Sequence, residues 1–343
     1  MTRHEEIYRS IRNDISSGKI TPGERLPSVR ELAKRFGSSP GTVAQTLNRL
    51  RFEQIIVSRQ GAGCFASGRS APPKYLVVFG RGGQHLFEDY IQGFYALLGH
   101  EPGYSVTLED VGAANFSVDA AMSKLGQMAK AGMLGGIFME GTQDVIYTID
   151  QMNEFKKLSN QLYVYGCATK QFLRANIPGV SVDWREAGYL QTRYLLDSGC
   201  RNIVLEPILE ELIPGMEDAL REFKGKVRVH FTGKLRLADT ILRSPERFDG
   251  IAMFSDHCIA KIMPSLKQRG YGNPAIVGLF HTPWSREFNF ASVDIRPLEM
   301  VRLIADMFRG RIPPKLHECK PVLAPPSNET LLCNPLSEVF LKN

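Results

Sequence analysis

The sequence predicts an α/β fold in two parts, a small helical head and a large body of parallel sheets. Three observations predict it. Residues 26–65 read as two short capped helices followed by a glycine-tipped hairpin. Residues 66–74, Ala-Ser-Gly-Arg-Ser-Ala-Pro-Pro-Lys, have the composition of a linker. From Tyr75 onward, short apolar runs alternate with helical stretches, the pattern that builds parallel sheets with helices on both faces. A chain of 343 residues has room for two or three domains, each with its own core.

In the head, a first helix is expected to open at Thr2, with Glu5 completing a capping box, and to end at Gly18. Ile7, Ile11 and Ile15 share one face of it. Ser28 with Glu31 is a second capping box, opening a helix whose apolar positions are Val29, Leu32, Ala33 and Phe36 and which Gly37 stops. Ser39 caps the next helix, with Pro40 at its first position, where a missing N–H costs nothing. Val43, Leu47 and Leu50 face inward, leaving Thr42, Gln45, Thr46 and Arg49 on the outer side. Ile55–Ser58 and Cys64–Ala66 are expected to pair as strands, with Gly61 and Gly63 bringing the turn close enough to touch a phosphate. This is the layout of a winged helix-turn-helix.

Charge separates the two parts. Residues 1–74 carry 13 Lys/Arg against 6 Asp/Glu, a net of +7, while residues 75–343 carry 29 against 30, a net of −1. The positive charge therefore belongs to the head, as binding to the phosphates of double-stranded DNA requires.

In the body, strands are expected at Tyr75–Phe79, Ser105–Leu108, Gly136–Met139, Leu162–Tyr165, Val180–Val182, Asn202–Leu205, Val227–Phe231, Gly250–Phe254 and Ala275–Leu279. That number suggests two sheets, with any ligand beyond the carboxyl ends of the strands. The six cysteines are scattered, with no Cys-x-x-Cys pair, and read as thiols in a reducing cytoplasm. No metal and no cofactor is expected. The chain opens on an amphipathic helix rather than a signal peptide, and no apolar run approaches a membrane span. Phe79-Gly-Arg-Gly-Gly83 begins like a dinucleotide fingerprint, but His85 occupies the place of its third glycine. Asp256-His257-Cys258 are chain neighbours and do not make a catalytic set, so no enzyme activity is expected.

Residues 1–68 resemble the DNA-binding domain of the GntR family of bacterial regulators. The resemblance rests on Pro22-Gly23, Leu26-Pro27-Ser28, Arg30, Leu32-Ala33, Ser39, Thr42-Val43, Leu50 and Gly61-Ala62-Gly63-Cys64-Phe65. It implies that Arg30 reaches DNA at the groove and that Ser39 and Thr42 bind phosphates. Gly41, Gln45, Arg49, Arg59 and Gly61 complete the expected DNA interface. Pro40 and Ala44 stand where many relatives carry arginine, which moves base readout toward Gln45 and Arg30.

Four later segments resemble the LacI/GalR regulators and their periplasmic sugar-binding relatives. They are Val180–Gly188 with Tyr194–Val204, Phe248–Asp256, Leu266–Gly278 and Ala291–Glu299. The resemblance implies a two-lobed, type I periplasmic-binding-protein-like domain over residues 75–343, joined to the head by a linker at 69–74. It implies a homodimeric repressor that binds a palindromic operator and answers a small-molecule effector, with a sugar as the expected class. Phe280 stands where the family often has an Asp that binds ligand hydroxyls, and Leu212 where it has Arg. The ligand residues expected at strand ends are Arg81, His85, Tyr165, Asp183, Trp184, Asp256 and His281. Trp184 or Phe280 could stack on a sugar's apolar face. The alternative reading makes the body a dimerisation or protein-docking unit without an effector.

Overall fold

The structure is a computed structural model. It describes residues 3–59, 61–67, 73–81, 85–141, 147–166, 172, 174–207, 209–232 and 237–326, with the side chains of 85–87 and 237 excepted. The head contains α1 (Arg3–Ser16), α2 (Val29–Phe36), α3 (Pro40–Phe52) and a hairpin of β1 (Ile56–Arg59) with β2 (Gly63–Ala66). Both halves of the Ser28/Glu31 capping box are made, and Gly37 closes α2 with its backbone in the left-handed region. Ser39 accepts from the Thr42 amide at 3.1 Å. The Thr2 cap lies outside the described residues.

Ile7, Ile11, Leu32, Val43, Leu47, Leu50 and Ile55 close the head's core. Asp14 ties α1 to α2 by accepting from Arg35 at 2.9 Å. One expectation is corrected here: Thr46 is buried, not outward, and donates to the Thr42 carbonyl at 2.9 Å. Satisfying its hydroxyl within the helix lets a threonine face an apolar core.

The body has two six-stranded sheets of matching order. The first lobe contains β3 (Lys74–Gly80), α4 (His85–Leu98), β4 (Tyr104–Asp110), α5 (Val118–Lys130), β5 (Leu134–Glu140), α6 (Ile149–Leu158), β6 (Leu162–Gly166) and β7 (Gly179–Val182). The second contains α7 (Trp184–Asp197), β8 (Asn202–Leu205), α8 (Ile213–Glu222), β9 (Arg228–Phe231), α9 (Leu237–Arg243), β10 (Gly250–Ala252), α10 (Asp256–Gln268), β11 (Ala275–Leu279), α11 (Pro283–Glu287) and β12 (Ala291–Asp294). The chain then returns to the first lobe with α12 (Pro297–Phe308) and β13 (Leu316–Cys319), and ends its described part in the second with β14 (Val322–Ala324). The strand orders are β4-β3-β5-β6-β7-β13 and β9-β8-β10-β11-β12-β14, all parallel except the β12/β14 pair.

Among the described residues the chain thus crosses between lobes three times, at Asp183, at Ile295-Arg296 and at Lys320-Pro321. Each crossing is one or two residues long, and the Asp183 amide bonds the Cys319 carbonyl at 3.0 Å, which links the first crossing to the third. Arg296 is left-handed at φ 58, held by a bond from its amide to Asp294 Oδ1 at 2.7 Å. With every parallel strand ending toward the lobe boundary, side chains at strand ends from both lobes converge there.

The expected strand at Gly250–Phe254 stops at Ala252: the Met253 amide makes the last bond to β11, at the Val277 carbonyl, and Ser255 is already the cap of α10. Strands β13 and β14 were not expected. They are held by β7 and β12, neighbours distant in sequence.

Candidate DNA interface and interlobe cavity

The head presents the N-terminal ends of α2 and α3 and the tip of the hairpin. Arg30 is exposed on the first turn of α2. Ser39, Gly41 and Gln45 are exposed on α3 or at its cap, and Thr42 is half-buried with its hydroxyl 2.9 Å from that of Ser39. The unpaired amides of a helix start favour phosphate oxygens. At the hairpin tip, Gly61 and Gly63 have φ 71 and 100, a conformation that lets the backbone approach a partner closely. The Arg59 guanidinium lies 4.6 Å over the Phe65 ring, which holds an exposed cation beside that tip. Arg25 was not singled out by sequence, yet it bridges to Phe65 and its guanidinium lies against Gly63. Among the described residues of the head, Arg25, Arg30, Lys34, Arg51 and Arg59 make no ion pair within 4 Å.

Arg49 departs from the expected interface. It donates to Glu53 at 3.0 Å and to Glu5 at 3.0 Å, and its guanidinium lies 3.8 Å over the Tyr8 ring. The Tyr8 hydroxyl donates to Glu53, and burial with that carboxylate pushes its pKa up to about 12. Arg49 is therefore a strut between α1 and α3. We expect Arg49→Ala to lower the stability of the head by about 1–3 kcal/mol, because it strands two carboxylates and a ring. Calorimetry of the full chain should show a head transition moved down with the body transition in place. An unmoved head transition with weakened DNA binding would return Arg49 to the interface.

In the body, a cavity of about 160 Å³ lies between the lobes. Its first-lobe wall is Glu88, Asp89 and Gln92 of α4, and Ile295 and Pro297 close one side. Its second-lobe wall is Phe280, His281, Thr282, Pro283 and Arg286, the turn after β11 and the start of α11. Phe280 and His281 both have left-handed backbones, φ 89 and 49, unfavourable for residues with large side chains. Three bonds hold this turn: Phe280 amide to Val293 carbonyl at 2.7 Å, His281 amide to Ser292 Oγ at 2.9 Å, and Thr282 amide to Asp256 Oδ2 at 2.7 Å. Burial lowers the pKa of His281, which favours the neutral ring.

Of the seven expected ligand residues, His281 lines this cavity. Asp183 caps α7, accepting from the Glu186 amide at 3.0 Å at the first crossing. Arg81 follows β3 directly, with its stem alongside Gly112. The side chain of His85 lies outside the described residues. The other three are corrected. Tyr165 is buried and donates to the Phe79 carbonyl at 2.7 Å, inside the first-lobe core. Trp184 is buried and packs edge-on against Phe280. Asp256 is 0% exposed and accepts from Thr282 and, at 2.8 Å, from the Ser292 hydroxyl, so it braces the cavity wall from behind. Glu88, Asp89, Gln92, Thr282 and Arg286 were not expected in the site.

Burial pushes the Asp256 pKa up to about 6 from 3.8, against the hydrogen bonds from Thr282 and Ser292, which pull it down. The unfolded chain therefore releases this proton first as pH rises. The group's contribution is fully present below about pH 4 and is lost as pH climbs through about 6, by about 2–3 kcal/mol in all. Relative to Asp256→Asn, the wild type should lose stability between pH 4 and 7 in chemical denaturation. A constant difference across that range would contradict the assignment.

Comparison with known proteins bears on both parts. Residues 3–66 match the family of bacterial regulatory proteins called the gntR family. The head is a GntR-family domain. Over a longer span, the chain is 23% identical across 333 residues to the arabinose metabolism transcriptional repressor of Geobacillus stearothermophilus, covering 88% of this chain and 86% of that one. The body matches the trehalose repressor from Escherichia coli with a TM-score of 0.57 at 17% identity, covering 73% of this chain and 99% of that one. It also matches a periplasmic solute-binding protein from Actinobacillus succinogenes, solved with D-allose, with a TM-score of 0.60 at 13% identity over 74% of this chain and 97% of that one. Behind its GntR head the chain therefore carries a two-lobed, periplasmic-binding-protein-like body. Among the described residues, no helix is long and apolar enough to cross a membrane.

Proposed function

We propose that this protein is a one-component transcriptional regulator of the cytoplasm, a repressor whose hold on a palindromic operator is set by a small carbohydrate bound between the lobes. One observation carries the reading. A GntR head continues in the same chain into two lobes joined by three short crossings, with a cavity at their boundary. A ligand touching both walls of that cavity favours one lobe arrangement over others, and only such a difference in affinity can shift a conformational equilibrium. The names of the arabinose and trehalose repressors support the carbohydrate class.

Two heads on a two-fold axis match a two-fold operator, so the active form is a homodimer. Tyr95 on α4 and Leu298 on α12, 45% and 57% exposed on packed helices, give the first lobe an apolar surface suited to that contact. Arg30, Ser39, Gly41, Thr42, Gln45, Arg59 and Gly61 remain the residues that meet DNA, with Arg25 added beside the wing. The reading assigns no catalytic step.

The test is a thermal-shift screen of the full chain against monosaccharides, disaccharides and polyols, followed by operator titration with and without any hit. A ligand present at about 100 times its Kd adds about 2.7 kcal/mol, enough to move Tm by several degrees. A hit that leaves operator affinity unchanged would sink the allosteric reading. No hit across the panel would favour the body as a dimerisation unit, the reading to which Phe280 in place of a hydroxyl-binding Asp also points.

A further inference from the structure

The two walls of the interlobe cavity differ in chemistry. Glu88 and Asp89 are consecutive carboxylates on one turn of α4, and when ionised they can only accept hydrogen bonds. Across from them, Arg286 only donates and the Thr282 hydroxyl does either. Among the described residues Arg286 makes no ion pair within 4 Å, so its guanidinium is not already spent on the carboxylates facing it. Among the described residues the lining carries two carboxylates against one guanidinium, and partial burial of the His281 ring favours its neutral form. Phe280, Ile295 and Pro283 supply apolar surface between the polar groups.

We propose that Glu88 and Asp89 act as a charge filter, so that the cavity takes an uncharged polyhydroxylated ligand of about monosaccharide size and turns away its phosphorylated and carboxylated counterparts. The inference rests on the reading of this cavity as the effector site and names the class it selects. Hydroxyl groups can donate to the two carboxylates on one side and accept from Arg286 on the other, as the walls require. Hydrogen bonds to an ionised partner are roughly twice as strong as neutral ones. An anion offers only acceptors at its charged end. Placed near α4 it meets like charge; placed near Arg286 it gains one cation while two carboxylates remain on the facing wall.

Size points the same way. About 160 Å³ is the liquid volume of about five waters, room for one small ring with its hydroxyls. The wall opposite the filter is preorganised. The left-handed turn at Phe280 and His281 is pinned by Val293, Ser292 and Asp256, and the Phe280 ring it carries packs against Trp184 and Phe254. The carboxylates on α4 also supply what the sequence lacks at position 280, an acid for ligand hydroxyls, from the other lobe.

The test is calorimetric titration of the full chain with matched sets: D-glucose, D-glucose 6-phosphate and D-glucuronate; D-ribose and D-ribose 5-phosphate; L-arabinose and L-arabinonate. The wild type should bind a neutral member and bind its anionic partners about tenfold or more weakly. In the double variant Glu88→Gln, Asp89→Asn, which keeps side-chain shape on an exposed helix surface, that gap should close by about tenfold. If an anionic member binds the wild type as well as its neutral partner, or the gap survives in the double variant, the filter is wrong while the effector reading stands. If no member of any set binds, the filter is wrong, and the wider thermal-shift panel decides the effector reading by itself.

Discussion

Gly215→Ala is expected to disrupt the second lobe, lowering its stability by about 3 kcal/mol or more, beyond the ordinary cost of overpacking. α7 and α8 approach so closely that a Cβ on Gly215 would lie 1.7 Å from the Arg185 carbonyl oxygen. The reciprocal position, Gly188 on α7, would place its Cβ 2.2 Å from the Leu212 carbonyl oxygen. Both obstacles are backbone, so no rotamer change relieves them and the helices must separate. Separation uncovers Leu195, Leu212, Met216 and Ala219, which the contact keeps buried. Gly126→Ala on α5 is the matched control, since its Cβ would meet only a Leu158 methyl at 4.0 Å. That change should be neutral or stabilise by up to about 1 kcal/mol. Melting curves should show Gly215→Ala down by about 6–12 °C and Gly126→Ala level or slightly up. A Gly215 variant melting within a degree or two of wild type would mean that the helices do not touch as described.

What could be read without the structure follows the range of the signal. Ser28 with Glu31 and Ser39 with Thr42 are interactions over three residues, so the caps of α2 and α3 were legible, and the wing glycines with them. The alternation of strands and helices likewise gave the two sheets. Helical periodicity placed Arg49 on a face but not its partner, because Glu5 lies on another helix. Strands β13 and β14 carry little local pattern, and their strand form depends on β7 and β12. In the site, a strand end marks the lobe boundary without saying which way its side chain turns. Tyr165 and Asp256 turn inward where His281 turns to the cavity. Glu88 and Asp89 look in sequence like an ordinary solvated helix face, and only the turn after β11, almost 200 residues later, gives them an opposite wall.

The same distinction governs the second large effect. Arg30→Ala should cost about 1–3 kcal/mol of specific operator binding and much less of binding to random duplex. Base readout needs a donor-rich side chain that is exposed, near a helix start and not already paired. Arg49 fails this, since two carboxylates hold it inside the head. Pro40 and Ala44 bring no side-chain donor to α3. Arg30, exposed on the first turn of α2 and free of ion pairs among the described residues, is left with Gln45 to discriminate bases. Thr42→Ala, by contrast, removes a hydroxyl at a helix start and should weaken both duplexes alike. Titrations against an operator selected from random duplexes by the wild type, repeated at several salt concentrations, separate the two roles. A base-reading Arg30 leaves the salt slope nearly unchanged on loss, whereas a phosphate contact reduces it by about one. If Arg30→Ala lowers the slope and weakens both duplexes equally, recognition falls to Gln45 and to the wing, where Arg25 and Arg59 stand on either side of Phe65.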